Sequence, residues 1–301
     1  GREYFSGNIG GTARVVGFQG PMMATILVDG IRGRGNEIAA MDFHGGILYA
    51  VANIKSDAYF RVPAVLNGLQ ESIVMALNLN TMYYTGQTQA FATDFIESND
   101  IEFNSTTEQV WVVGKYFGEI PGWNPNVFSA SESAVINRFD AFGLIGVEAI
   151  HIPAGGNILQ SEATAIDSKG SVAYVTGTFV GEEPKMVSSN GTSAKFQGGT
   201  GITKDLWLAK LNLSGEFIEW MNGGESNEPV ESNDVAYNGV HAYIGGSYKE
   251  VLDLPPFSNL MHPIPGDELG FLVRGGDFFG VPGFKNLEDE ARIAFKDTKD
   301  M

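Results

Sequence analysis

Carboxylates mark the places where this chain could do chemistry. Asp100, Glu102 and Asp234 sit in segments rich in small and β-branched residues. Two such acids facing each other across a pocket could hydrolyse a glycosidic bond. Glu37, Asp100, Glu162 and Asp234 each stand where a strand-like segment begins. Oxygen ligands converging there could take a calcium ion. The same Ser, Asn and Asp types, in Asn36-Glu37, Ser98-Asn99-Asp100, Ser161-Glu162 and Ser232-Asn233-Asp234, also satisfy backbone groups at turns. That plainer use is the first expectation, because no contiguous D-x-D-x-D loop is present. Trp123, in Ile120-Pro121-Gly122-Trp123-Asn124-Pro125, offers a flat indole for stacking on a sugar or filling a partner's pocket. The alternative is that it folds back over its own strands, as large aromatics usually do.

Other chemistries find no support in the residues. His44, His151, His241 and His262 show no H-x-x-x-H spacing. Gly198-Gly199-Thr200-Gly201 lacks the following G-K-S/T of a phosphate loop, and no G-x-S-x-G elbow occurs. The chain has no cysteine, which removes disulfides, thiolate metal sites and a thiol nucleophile. Its net charge of −17 argues against nucleic acid and against anionic membrane surfaces. No apolar run approaches the roughly 20 residues of a membrane helix. With 43% hydrophobic and 18% charged residues over 301 positions, the composition is that of a globular protein. Asn104, Asn190 and Asn212 open N-x-S/T sequons.

The elements that would position these residues form a repeat. Tyr49-Ala50-Val51-Ala52, Trp111-Val112-Val113-Gly114, Tyr174-Val175-Thr176-Gly177 and Tyr243-Ile244-Gly245-Gly246 align, with anchors 62, 63 and 69 residues apart. A period of this length with strand-like content predicts a β-propeller or a similar array. Each unit predicts four strands. The first strands align as Ala39 to Asp42, Ile101 to Asn104, Thr164 to Asp167 and Val235 to Asn238, on their turn-forming Asp or Asn. In that alignment Glu102 is an acid in a column otherwise filled by Ala40, Ala165, Ala236 and Ala294. A broken local rule of this kind is a functional candidate.

The ends predict closure. Ala291 to Lys296 fits a first strand, and Ala13 to Phe18 fits a second. The expected fold is therefore all-β: a single five-bladed β-propeller over residues 1–301, closed by pairing of N- and C-terminal strands. The blades cover about 37–90, 98–150, 161–224, 232–286, and 290–301 plus 11–35. Long second-to-third strand loops, at about 55–70, 117–131, 180–204 and 249–267, should share one face.

The segment DSKGSVAYVTGTF, Asp167 to Phe179, resembles the D-x-x-G-N-V-Y-V-T-G signature of bacterial β-propeller repeats of the SBBP type, with one extra residue. DLWLAKLNLSGEFIEWMNGG, Asp205 to Gly224, is similar to that family's next strand pair. The third unit carries the likeness, the fourth in part, and the first two in outline. The resemblance implies a secreted or cell-surface propeller with no shared catalytic residues. The leading expectation is a non-enzymatic extracellular interaction or assembly module without a cofactor, contacting a protein through its loop-rich face. A glycan-binding lectin is the alternative. A glycoside hydrolase using carboxylates near the central channel stands third.

Overall fold

The computed structural model describes residues 2–9, 12–19, 22–26, 36–55, 58–59, 63–64, 69–81, 83–90, 92–121, 127–153, 157–182, 184–188, 193–195, 203–215, 217–222, 230–249, 251–252, 260–261 and 269–274. Within them the chain is all-β, with antiparallel pairing throughout its named strands. A small N-terminal sheet joins β1 (Arg2–Ile9), β2 (Thr12–Gln19) and β3 (Met22–Ile26) in that order. The first repeat contains β4 (Glu37–His44), β5 (Ile47–Ile54), the short hairpin β6 (Ala58–Tyr59) and β7 (Pro63–Ala64), β8 (Glu71–Asn78) and β9 (Tyr83–Ala90). Its sheet runs β4-β5-β8-β9. The second holds β10 (Phe95–Asn104), β11 (Gln109–Ile120), β12 (Val127–Asp140) and β13 (Gly146–Ile152). The third holds β14 (Ile158–Lys169), β15 (Val172–Gly181), the hairpin β16 (Lys185–Ser188) and β17 (Ser193–Lys195), β18 (Lys204–Asn212) and β19 (Phe217–Asn222). The fourth holds β20 (Glu231–Tyr237), β21 (Ala242–Tyr248), the hairpin β22 (Val251–Leu252) and β23 (Leu260–Met261), and β24 (Leu269–Arg274). No described helix is long and apolar enough to cross a membrane.

Both faces of the first three repeat sheets are apolar, which explains their near-continuous hydrophobic runs, while the fourth buries one face. Along β5, Leu48, Ala50, Ala52 and Ile54 enter one buried cluster, while Tyr49 and Val51 enter another shared with Ile101, Val110 and Val112 of the second sheet. Trp111, Ile136 and Ile150 of the second sheet pack with Val175, Phe179 and Trp207 of the third. Tyr174 and Leu208 of the third pack with Val235, Ile244 and Phe271 of the fourth. The first strands of successive sheets lie against one another, and β4 also meets β1 and β2. Side chains that alternate across a pleat can serve two neighbouring sheets at once.

One irregularity recurs. Every repeat's first strand skips a residue at the same level: between Ile38 and Ala40, Ser98 and Asp100, Ala163 and Ala165, and Ser232 and Asp234. Opposite each of these bulges lies the anchor, Ala52, Gly114, Gly177 or Gly246. The bulge pushes a backbone carbonyl toward the anchor. A Cβ on Gly114, Gly177 or Gly246 would lie 1.9, 2.0 or 2.1 Å from the carbonyl oxygen of Glu97, Glu162 or Glu231. At these three anchors glycine is therefore a requirement of close backbone approach, whereas the first repeat carries Ala52 there.

Two expectations need correction. The edge of β2 assigned from sequence to 291–296 is taken by β1, which pairs with it from Arg2↔Gln19 to Ile9↔Thr12. With β3 on its other side, β2 has no edge left. The expectation missed β1 because the repeat columns begin at the second strand and give residues 2–9 no counterpart. Residues 291–296 themselves, like Phe278 to Val281, lie outside the described residues. Second, the 180–204 connection is not simply a loop. Its hairpin β16–β17 docks on the outer edge of the second sheet, pairing Ile150 with Ser188 and His151 with Val187. An exposed outer strand is thereby covered.

Candidate functional site

The pairing register regroups the acids. Asp42, Glu102 and Asp167 lie opposite Tyr49, Trp111 and Tyr174 and form one column, which Ala236 opposite Tyr243 completes. Ala40, Asp100, Ala165 and Asp234 form another, two residues earlier. Glu102 is thus no exception in an alanine column; it stands among acids. The sequence alignment slipped by two residues in the second and fourth repeats because it matched turn formers by type. Asn104 and Asn238 belong to the turns, where their Oδ1 atoms accept amides of Thr106 and Thr107, and of Val240 and His241. Asp42 and Asp167 sit within their strands and reach the next sheet.

There they make one hydrogen bond three times over. The backbone N–H of Phe103 donates to Asp42 Oδ2 at 2.7 Å, that of Ser168 to Glu102 Oε1 at 3.3 Å, and that of Tyr237 to Asp167 Oδ2 at 2.5 Å. Ser168 Oγ adds a second bond to Glu102 Oε1 at 3.1 Å. Asp100 Oδ2 accepts from the Ile166 amide at 2.9 Å. First strands pair on one side only, so their outward N–H groups need acceptors, and the preceding sheet supplies them.

This arrangement loads negative charge onto a half-buried seam. Burial, followed by the charges of Asp42 and Asp167, pushes Glu102 up to about 8, against the bonds from Ser168. Burial likewise raises Asp100 to about 6, with the Ile166 and Ile101 amides opposing and Asp234 and Asp42 adding to the rise. Asp167 is raised too, chiefly by burial. Asp42 accepts from the residue after Glu102, and Glu102 from the residue after Asp167, which sets these three acids side by side along the seam.

A second row of acids stands at the other end of the same strands. Glu37, Glu97, Glu162 and Glu231 hold the position just before the bulge in all four repeats. They lie at the end where β5, β11, β15 and β21 finish. Two cavities open there. One of about 240 Å³ is lined by Leu69, Gln70, Phe95, Glu97, Lys115 and Glu132. The other, about 100 Å³, shares Lys115 and Glu132 and continues to Gln160, Glu162, Thr178 and Lys204. Lys115 Nζ lies 3.5 Å from Glu132 and 3.7 Å from Glu162, and Lys204 Nζ donates to Glu231 at 2.7 Å. Burial lowers the Lys115 pKa, but Glu162, Glu132 and Glu97 outweigh it, so the ammonium is held above its ordinary value.

The Asn and Ser residues at the starts of the first strands satisfy backbone groups. Asn36 Oδ1 accepts the Lys55 amide, and Ser161 Oγ accepts from Ala134 N while donating to the Ile152 carbonyl. Ser98 joins Asn53 and Ser72 in a buried network between the first two sheets. Of the calcium candidates, Asp100 and Asp234 share a column on the seam, while Glu37 and Glu162 lie in the second row. Among the described residues, no group of three or more acids or histidines could hold one metal ion. Trp123 and Asn190 lie outside the described residues. Asn104 is buried, with Nδ2 donating to Ser168 Oγ, and Asn212 is half-buried.

Sequence reasoning missed Glu97, Glu231, Lys115 and Lys204. A signal existed for the glutamates: each stands 15 residues before its anchor, or 17 in the second repeat. No protein-family profile matches the chain, and no curated protein matches it. The likeness to bacterial propeller repeats rests on 167–179 and 205–224.

Proposed function

We propose that this chain is a five-bladed β-propeller of the SBBP-like kind, working outside the cell or on its surface as a non-enzymatic, cofactor-free interaction module. Four repeat sheets stacked in chain order, with the N-terminal sheet against β4, support that ring. In it, residues 290–301 add to an open edge of the N-terminal sheet, β1 or β3.

One observation carries the functional reading: the acids a hydrolase would need are already engaged. Asp42, Asp100, Glu102 and Asp167 accept backbone amides of the neighbouring sheet. A glycosidase needs two carboxyl groups free to meet substrate. The cavities instead open at the loop-bearing end, where rigid strands present variable connections. A protein partner with mixed charge suits the alternating Lys115, Glu132, Glu162, Lys204 and Glu231. A glycan ligand is the second reading, favoured by Gln70, Glu97, Gln160 and Glu162, whose amide and carboxylate groups match sugar hydroxyls.

A photo-crosslinking residue at Leu69 or Gln160, compared with one at Ile145 beyond the far-end turn, tests the reading on the producing cells. Adducts with a defined protein from the first two positions alone support it. Adducts from position 145 alone, or turnover of a purified substrate that Glu102→Gln abolishes, reject it. Binding on a glycan array that is lost on Glu162→Ala moves the assignment to a lectin.

A further inference from the structure

The acidic seam has a consequence independent of any partner. Where the second and third sheets meet, Glu102 touches Ser168 through both the backbone amide and the hydroxyl. The groups around it offer little compensation. From β4 come Asp42 and His44, whose imidazole stacks on Phe103 at 4.4 Å rather than pairing with the acid. From β5 comes Tyr49, stacked on the same Phe103 ring. On β8 the titratable Glu71 pairs with Ile54, at the opposite end of the sheet from Asp42 and Tyr49. On β11 Glu102 faces Trp111, while Lys115 lies opposite Glu97 at the far end. From β14 come Asp167, which adds negative charge, and Lys169, whose Nζ donates to the Asn238 carbonyl oxygen of the fourth sheet. Asp234 of β20 and Asp100 of β10 itself extend the same-sign row.

We propose that this seam is a pH-sensitive fastening: protonation of Glu102 tightens the junction between the second and third sheets, and ionisation loosens it. A neutral Glu102 keeps Oε1 as acceptor for Ser168 and removes the repulsion from Asp42 and Asp167. An ionised Glu102 keeps the hydrogen bonds but adds a negative charge between Asp42 and Asp167 in a half-buried seam. The direction follows from linkage. Glu102 is raised to about 8, so its contribution is complete below the ordinary carboxyl range and is lost as pH rises through about 8. Asp100 acts in the same sense and is lost through about 6. The seam therefore weakens between mildly acidic and mildly alkaline pH, a range in which few groups titrate.

Thermal unfolding of the whole chain at pH 6.5 and pH 9, with and without Glu102→Gln, tests this. The expected result is a fall of roughly 5 °C for the native chain, less than half that for the variant, and a variant melting above the native chain at pH 9. Amide exchange at Ser168, corrected for the intrinsic pH dependence, should rise with the fall. An unchanged native midpoint, or a variant that falls in parallel, overturns the proposal. Should the variant not fold, the carboxyl carbon resonance of Glu102 in the native chain decides. A titration midpoint above about 6.5 supports the fastening, and one at or below it rejects it.

Discussion

Residue types at the seam do two jobs that look identical in sequence. Asp42 and Asp167 cap the neighbouring sheet, whereas Asn104 and Asn238 close their own turns. Capping needs an acceptor, not a charge. Asp167→Asn should therefore stay close to native stability, while Asp167→Ala should lose about 1–3 kcal/mol by orphaning the Tyr237 amide. Urea unfolding of the pair checks this, and equal losses would count against the capping role. The anchors make a sharper demand. An added Cβ at Gly177 meets the Glu162 carbonyl at 2.0 Å and Trp207 at 2.6 Å. Gly177→Ala should cost about 2 kcal/mol or more, seen as a lowered denaturant midpoint. His151 works on the acid side. Burial holds it down at about 4, and Tyr116 Oη lies 2.6 Å from its Nδ1. A base lowered in the fold contributes stability that is complete above its ordinary value and lost as pH falls through about 4. Nitrogen NMR should find the His151 ring neutral at pH 5; a protonated ring there would remove this limb.

Elements are fastened by a few buried polar contacts between apolar faces. Arg138 on β12 pairs with Glu148 on β13, lies 4.7 Å over the Trp111 ring, and donates to Gln109 and to the Leu213 carbonyl of the third sheet. Glu148 also accepts from Ser188 Oγ on the docked hairpin. One ion pair thus clamps two segments of the third repeat onto the second. Arg138→Met should cost about 3–5 kcal/mol, because Glu148 is left buried without its partner. The double change Arg138→Met with Glu148→Leu should recover much of that in the same unfolding assay, since removing both charges leaves neither uncompensated. The hairpin also covers the edge of β13. Deleting 185–195 should raise aggregation in light scattering before it lowers the melting midpoint, because an uncovered edge templates pairing.

At the scale of the whole molecule, the sheets make a stack whose first strands run along one seam, with acids at one end and mixed charge at the other. The proposed ring of five requires the C-terminal segment to close against the N-terminal sheet. The chain has no cysteine, so introduced pairs report cleanly. Variants carrying one cysteine at Tyr4, Ser6 or Asn8 and one at Arg292, Ala294 or Lys296 should include at least one pair that oxidises under native conditions and raises the melting midpoint. A matching series from Met22 to Ile26 covers the other edge. Failure of both series would remove the closed ring and leave an open stack.

The amino-acid sequence determined the all-β class, most of the strands and the spacing of the anchors. A sheet apolar on both faces writes itself as continuous hydrophobic runs, and the glycines forced by close approach leave marks at Gly114, Gly177 and Gly246, 63 and 69 residues apart. It did not determine which acids share a column. A bulge leaves no mark among the residues of its own strand, and a longer turn shifts every count that starts from it. Register came only from backbone pairing, and with it the change of Glu102 from an exception among alanines to one member of a row of carboxylates. The same holds for Arg2 to Ile9 and for the docked hairpin: which strand fills an edge depends on what else competes for those hydrogen bonds, and that competition is settled in three dimensions.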